Sequence, residues 1–351
     1  MGEPIVPFVR QEGTYRQIGC DTGRAIQTTF TPPKAAARQI QLAAECERIV
    51  RDVHPRLLEQ FDGLLDGGGF DRDDFAAYYF ARERSVHRRR CTMFAIAPSH
   101  TADGRLLVGR NYDWVRADRD WCELREIRAE QTPPRVGYSN HWIGCPDVLT
   151  AHGLLLSLAT LRPEPATAPG LQWNAIFDLV AATCTTAHQA ADAIAGLPHF
   201  RPMNYLVADA AHAEVLEAAP RGVTRRGWND GLLVATNRPV DGKHDADCRR
   251  YRGVVRLLRS HTQALDATAA KAVLRDHSVP ICDGDHASTA PSNWETIWSF
   301  VCAPAAMAIE LAPGRPCESE YVRIGFEKGK LESLAHMRGC ADRPKDKAET
   351  R

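Results

Sequence analysis

The stretch Cys91-Thr92-Met93-Phe94-Ala95-Ile96, followed by Asp103-Gly104 and then Leu106-Leu107-Val108-Gly109-Arg110-Asn111-Tyr112-Asp113-Trp114, constrains the fold most strongly. Two short apolar runs around a tight-turn dipeptide predict a β-hairpin. Paired strands place their far ends side by side. Cys91 enters the first strand while Arg110 and Asp113 leave the second, so a thiol, a guanidinium and a carboxylate are expected to meet at one end of the hairpin.

The chain before this hairpin has a different texture. A short strand is expected from Ile5 to Val9, then a turn and helix start over Gly13 to Gly19. From Lys34 to Leu65 apolar residues recur at helical spacing, which predicts one long amphipathic helix bent near Pro55. Gly67-Gly68-Gly69 ends it, and Asp71-Arg72-Asp73-Asp74-Phe75 opens another helix, expected to run to about Arg84. The basic run His87 to Arg90 then reads either as a solvated turn or as a processing site. Beyond Cys91 strands dominate: 122–129, 135–142, 153–161, the hairpin 205–209 with 213–218, 231–236, and a closing hairpin of 295–303 with 306–311. Helices are expected at 171–185, 188–195, 248–260 and 267–275, and a disordered tail after Arg338. No internal repeat is present.

Charge removes some partners from consideration. Lys plus Arg number 44 and Asp plus Glu 44, so no overall field recruits nucleic acid or an anionic membrane. The opening residues MGEPIVPFVRQEG hold no secretory apolar run, and no window reaches the roughly 18 apolar residues of a membrane span, which predicts a cytoplasmic protein. The 11 cysteines form no CxxC pair and are expected to be reduced thiols. No His/Cys spacing of a metal site stands out, so neither metal nor cofactor is expected.

A cysteine acts as a nucleophile only as thiolate, and needs a base, a nearby positive charge and donors for an oxyanion. No local signature ties a histidine to Cys91. A cysteine can supply its own base if it is the first residue of a chain, because an α-amino group titrates at about 7.7–8.0. That arrangement requires a cut between Arg90 and Cys91.

In these motifs the chain resembles the peptidase C45 family, the acyl-coenzyme A:6-aminopenicillanic acid acyltransferase family. That family lies within the N-terminal nucleophile (Ntn) hydrolase superfamily and is related to choloylglycine hydrolases and penicillin V acylases. The likeness rests on the leader motif Gly13 to Gly19 with Thr22-Gly23, and on Phe61-Asp62-Gly63-Leu64 with Asp71 to Asp74. It continues through Cys91-Thr92, Gly109 to Trp114, the Gly153-Leu154 strand, Thr236-Asn237, Glu295 to Val301 and Gly314-Arg315-Pro316. The resemblance implies an α+β, four-layer αββα fold with a helical leader at 1–90, a catalytic domain at 91–338 and a tail at 339–351. It further implies self-cleavage between Arg90 and Cys91, and Cys91 as nucleophile.

By the same resemblance Arg110 would sit beside the thiolate, Asp113 would hold the freed α-amino group and Asn237 would donate to the oxyanion. Arg250 would complete the site, with Arg249 equally near by count. Two positions depart from the family. Arg90 stands where the penicillin-pathway enzyme has glycine, and the Gly-Leu strand offers Ser157 and Thr160 where related hydrolases carry an oxyanion asparagine. Arginine at 110, where several acyltransferases have glutamine, favours an amidohydrolase slightly over an amine acyltransferase. The implied partner is a small acyl-amide or acyl-thioester substrate, with no nucleic acid and no membrane, and self-cleavage would allow a heterodimer of the two fragments. The rival reading is an uncleaved, inactive binding or scaffold protein that keeps the fold.

Overall fold

The computed structural model describes residues 6–82, 91–161, 167–240, 248–284, 293–332 and 337–339. Arg90, the basic run and nearly all of the tail lie outside these residues. The chain begins with strand β1 (Val6–Gly13) and helix α1 (Tyr15–Ile26). Thr14 and Gln17 form a reciprocal capping box that satisfies the first free amides of α1.

Pro55 divides what the periodicity predicts as one helix. A proline lacks the amide that would continue the ladder, and it excludes the residue before it from helical geometry. His54 accordingly takes φ −148° and ψ 64°, and the segment forms two helices, α2 (Ala37–Val53) and α3 (Pro55–Gly68). Gly69 closes α3 in the left-handed conformation at φ 63°. Helix α4 (Arg72–Phe80), capped by Asp71, is shorter than expected because the backbone leaves the helix at Ala81, φ −124°.

The glycines of α1 and α3 have a packing role. A Cβ on Gly19 would come within 2.0 Å of the Gln60 carbonyl oxygen, and one on Gly63 within 2.1 Å of the Arg16 carbonyl oxygen. Gly23 and Gly67 are in similar contact with Leu64 and Cys20, so α1 and α3 approach backbone to backbone along two glycine steps.

The strands after Cys91 are β2 (Thr92–Ile96), β3 (Leu107–Val115), β4 (Glu123–Ala129), β5 (Arg135–Ser139), β6 (Asp147–Thr150) and β7 (Leu155–Thr160). Helices α5 (Trp173–Thr183) and α6 (Ala187–Gly196) follow, then β8 (Met203–Ala208), β9 (Ala213–Ala219), β10 (Gly222–Arg226) and β11 (Leu232–Ala235). The chain continues through α7 (Arg249–Arg259), α8 (Ala267–Leu274), β12 (Trp294–Ala303), β13 (Ala308–Ala312), β14 (Val322–Glu327), β15 (Lys330–Glu332) and β16 (Met337–Gly339). Strands β6, β10 and β14 to β16 were not expected from the sequence; several are short, and β10 is an edge strand with little apolar content.

These strands form two sheets. The first runs β10-β9-β8-β7-β6-β5-β4-β1-β16 and the second β11-β2-β3-β12-β13-β14-β15. Met93, Val108 and Trp298 from the second sheet pack against Leu124, Leu155 and Leu206 from the first, which makes the core between the sheets. Helices α1 to α6 cover the outer face of the first sheet, with Phe61, Phe75 and Phe177 buried against it. Helices α7 and α8 cover the outer face of the second through Val254, Leu258 and Val273. The architecture is therefore α+β in four layers, αββα. The described residues before Cys91 are woven into it, since β1 pairs in parallel with β4 from Phe8↔Leu124 to Gly13↔Ala129. Among the described residues no helix is long and apolar enough to cross a membrane.

Candidate active site

The register of the central hairpin determines what can meet at Cys91. Met93 lies opposite Arg110 and Thr92 opposite Asn111, so Cys91, Arg110, Tyr112 and Trp114 share the face between the sheets. Asn111 and Asp113 point the other way; the Asn111 amide donates to the carbonyls of Leu274 and Ile281, both at 2.9 Å. The three groups expected to converge therefore do so in a modified form. Arg110 and Asp113 are three residues apart, which puts them on opposite faces of one strand, and they are not an ion pair.

Arg110 is fully buried and held on every side. Its Nε donates to Asp147 Oδ1 at 3.3 Å, Nη1 to the Asn111 carbonyl at 2.8 Å and Nη2 to the Leu158 carbonyl at 2.6 Å. Its guanidinium lies 5.0 Å from the centre of the Tyr112 ring and within hydrogen-bonding reach of the Cys91 thiol. Burial works to lower its pKa, but Cys91 and Asp147 outweigh that and hold it above the ordinary value. The Cys91 thiol itself also lies 3.9 Å from the Asp113 carbonyl oxygen.

Asp147 is the carboxylate that the sequence did not reveal. It stands on β6, itself unexpected, and accepts from Trp298 Nε1 at 2.8 Å and from Ser157 Oγ. Ser157 is thus turned towards Asp147. Trp298 in turn stacks on Tyr112 with ring centres 3.8 Å apart.

Asp113 sits in an unusual environment. Thr296 Oγ1 donates to its Oδ1 at 2.6 Å, whereas Oδ2 is buried with no hydrogen-bond partner among the described residues. Burial and the neighbouring Asp283 push this carboxyl well above the usual range, against the opposing pull of Arg250 and the Thr296 hydrogen bond.

The remaining candidates converge from a different part of the chain. Arg250, in the first turn of α7, donates from Nη1 to the Cys91 carbonyl and, at 3.4 Å, to Thr92 Oγ1. Its Nη2 donates to Asn237 Oδ1 at 3.0 Å. Burial lowers its pKa from the ordinary value, with Asp113 acting in the opposite direction. Arg249, equally near by count, is exposed. Asn237 follows β11, and its Nδ2 donates to the Thr160 carbonyl at 2.9 Å. Asn204 on β8, also not foreseen, donates to the Thr236 carbonyl at 2.7 Å and so supports the same turn.

Five candidates thus occupy one buried region: Cys91, Arg110, Asp113, Asn237 and Arg250. The thiol faces a permanent cation, and the carbonyl of the same residue is gripped by a second. Among the described residues the Cys91 thiol makes no hydrogen bond to a histidine. Nearby, Tyr112 reaches His141 across 3.3 Å, and His141 with Tyr78, Arg82, Trp114, Trp142 and Trp173 lines a cavity. Trp121 packs edge-on against Trp142 from outside that lining.

A family model described as acyl-coenzyme A:6-aminopenicillanic acid acyl-transferase matches residues 99–318, a span that holds Arg110, Asp113, Asn237 and Arg250 and begins beyond Cys91. No curated protein matches the chain. Among solved structures, the Caenorhabditis elegans N-acylethanolamine-hydrolyzing acid amidase ortholog is 18% identical, with 61% of this chain and 93% of that one covered and a TM-score of 0.48. Penicillin V acylase from Agrobacterium tumefaciens is 14% identical over 68% of this chain and 87% of that one, with a TM-score of 0.48. The conjugated bile acid hydrolase from Clostridium perfringens is 11% identical over 68% and 97%, with a TM-score of 0.46.

Proposed function

Since the chain belongs to the acyl-coenzyme A:6-aminopenicillanic acid acyl-transferase family, we propose that it cuts itself before Cys91 and then works as a cysteine Ntn acyl-amide hydrolase. The observation that carries this reading is the convergence on Cys91 of two buried guanidiniums, Arg110 at the thiol and Arg250 at the carbonyl.

In the first step the Cys91 sulfur attacks the Arg90 carbonyl and the peptide bond breaks, giving a thioester with the leader and a free Cys91 α-amino group. Water hydrolyses that thioester and restores the thiol. The amine then takes the thiol proton, with the Arg110 guanidinium beside the sulfur. Asp113 Oδ2, which has no partner in the uncut chain among the described residues, is the acceptor for the new ammonium.

The thiolate next attacks the substrate acyl carbon. Asn237 Nδ2 has a second hydrogen beyond the one given to Thr160, and directs it at the oxyanion. The ammonium protonates the leaving amine, and water, activated by the same amine, resolves the Cys91 thioester. An amine in place of water makes the reaction an acyl transfer; arginine at position 110 favours water. The substrate is a small acyl amide or thioester, and the aromatic cavity beside Tyr112 suits an apolar acyl group.

Intact mass of the purified protein tests the first step. Two fragments dividing before Cys91 are expected, with Cys91→Ala remaining one chain of 38.9 kDa. An activated acyl donor, offered with and without an amine, then separates hydrolysis from transfer. A wild-type chain that stays whole and takes no acyl label on Cys91 would leave the inactive binding protein as the better reading.

A further inference from the structure

Away from Cys91, three ligand-bearing side chains meet between two loops. His277 and Cys282 lie on the loop that follows α8, and Cys317 lies on the turn between β13 and β14. The two sulfurs are 3.5 Å apart, and a ring nitrogen of His277 joins them so that all three ligand atoms fall within 4.8 Å of one another. Zinc holds thiolate at about 2.3 Å and imidazole at about 2.0–2.1 Å, which in a tetrahedron separates two sulfurs by about 3.8 Å. The observed spacing needs little movement to reach that.

We propose that Cys282, Cys317 and His277 form a zinc-type site. Each thiol releases one proton to solvent as it binds, His277 contributes one ring nitrogen, and water completes the fourth position. Two thiolates and an imidazole select a borderline-soft dication over magnesium or calcium. Access comes from the solvent side, because His277 is exposed and Cys317 is half-buried, whereas Cys282 forms the buried floor. The loops are also fixed beforehand. Arg275 Nε donates to the Pro316 carbonyl at 2.7 Å, the Cys282 amide donates to the Asp276 carbonyl at 3.1 Å, and Asp276 Oδ1 accepts from Ser278 and from the Val279 amide.

A second cluster, His188, His212 and Glu214, is a weaker candidate, because Arg225 engages both Glu214 oxygens at 2.5 and 2.8 Å and would have to be displaced. The sulfur site also has a connection that the other lacks. Next to Cys282, the Asp283 carbonyl accepts from the Thr296 amide at 3.0 Å and the Asp283 amide donates to Thr296 Oγ1 at 3.0 Å, and that hydroxyl in turn donates to Asp113. A cation tying Cys282 to Cys317 therefore braces the chain that positions Asp113. The assignment does not depend on the acyl-transfer reading.

The test uses full-length protein, stripped with a chelator under reducing conditions and titrated with zinc or cobalt(II) alone. One cobalt per chain is expected, with a sulfur-to-cobalt charge-transfer band and tetrahedral ligand-field bands. Cys317→Ser should weaken zinc binding by more than about 100-fold, since loss of even an outer-shell partner costs about 10–100-fold. His277→Ala, at an exposed position, should weaken it as well without disturbing folding, and Cys20→Ser should leave it unchanged. Absence of the charge-transfer band overturns the proposal. So does a band that survives both Cys317→Ser and His277→Ala, or a chain isolated two hydrogens lighter with Cys282 and Cys317 joined as a disulfide.

Discussion

Asp113 is fully buried and Asp178 mostly so, but their surroundings differ in kind. Asp178, on α5, accepts from His54 Nε2 at 2.8 Å and from Arg135, and ties α2 and α3 of the leader to β5. Burial works against its charge, yet Arg135 and His54 prevail and hold its carboxyl below the usual range. Asp113 has one hydroxyl donor, an oxygen with no partner among the described residues and a second carboxylate nearby, so its carboxyl is pushed well above that range. Asp178 is held by two nitrogen donors, whereas Asp113 faces a second carboxylate. A buried group kept out of its preferred state is what chemistry requires and what packing alone would avoid.

The largest expected effect is on the strained member of the pair. Asp113→Asn should lower self-cleavage and turnover by about 10⁴-fold, the scale seen when an orienting carboxylate is lost, while the melting temperature holds or rises. If activity survives, Asp113 belongs with Asp178 as a packing residue. Asp178→Asn should do the reverse, costing about 3–5 kcal/mol because Arg135 is left as a buried unpaired charge; chemical denaturation measures it, and the folded fraction should turn over normally. Asn237→Ala should lower turnover by about 10² or more, as loss of one oxyanion donor does, with little change in substrate KM. Thr296→Val, which removes the only hydroxyl donor to Asp113 among the described residues, should cost about 1–3 kcal/mol in stability, read by the same denaturation.

The two carboxylates also predict opposite responses to pH. Asp178 has a lowered folded pKa, so its contribution is present above roughly pH 4 and is lost as the pH falls below it. Asp113 has a raised folded pKa, so its contribution is present below roughly pH 4 and is lost as the pH rises. Thermal melts from acid to neutral pH should therefore show a shallower acid limb for Asp178→Asn. For Asp113→Asn the loss on the rising side should be smaller. Matching curves for the two variants would erase the contrast.

Local patterns carried the hairpin, the helical leader and the strand at β11, because each is signalled within a dozen residues. What escaped was set by distant partners. Asp147 is marked by nothing in its own neighbourhood, and its place beside Arg110 follows from the stacking of two sheets. Ser157 and Trp298 acquire their roles only because that carboxylate is there. The opposite facing of Arg110 and Asp113 was available from strand alternation, yet a view of the hairpin end as one meeting place obscured it. Pro55 shows a smaller version of the same problem: the apolar period continues across it, but the backbone does not. The His277, Cys282 and Cys317 group spans two loops, and no spacing rule would join them.

The way β1 is inserted has a practical consequence. It lies between β4 and β16, pairing in parallel with both, so residues from the two extremities of the sequence close the same border of the nine-stranded sheet. A cut before Cys91 would then produce a nicked body, since the smaller piece remains hydrogen-bonded into the larger along a full strand. A chain trimmed to start at Tyr15 would instead bare the β4 backbone, and an unpaired strand edge invites association with other copies. Aggregation of such a chain, with its Cys91 region untouched, would show that the residues before Tyr15 guard solubility.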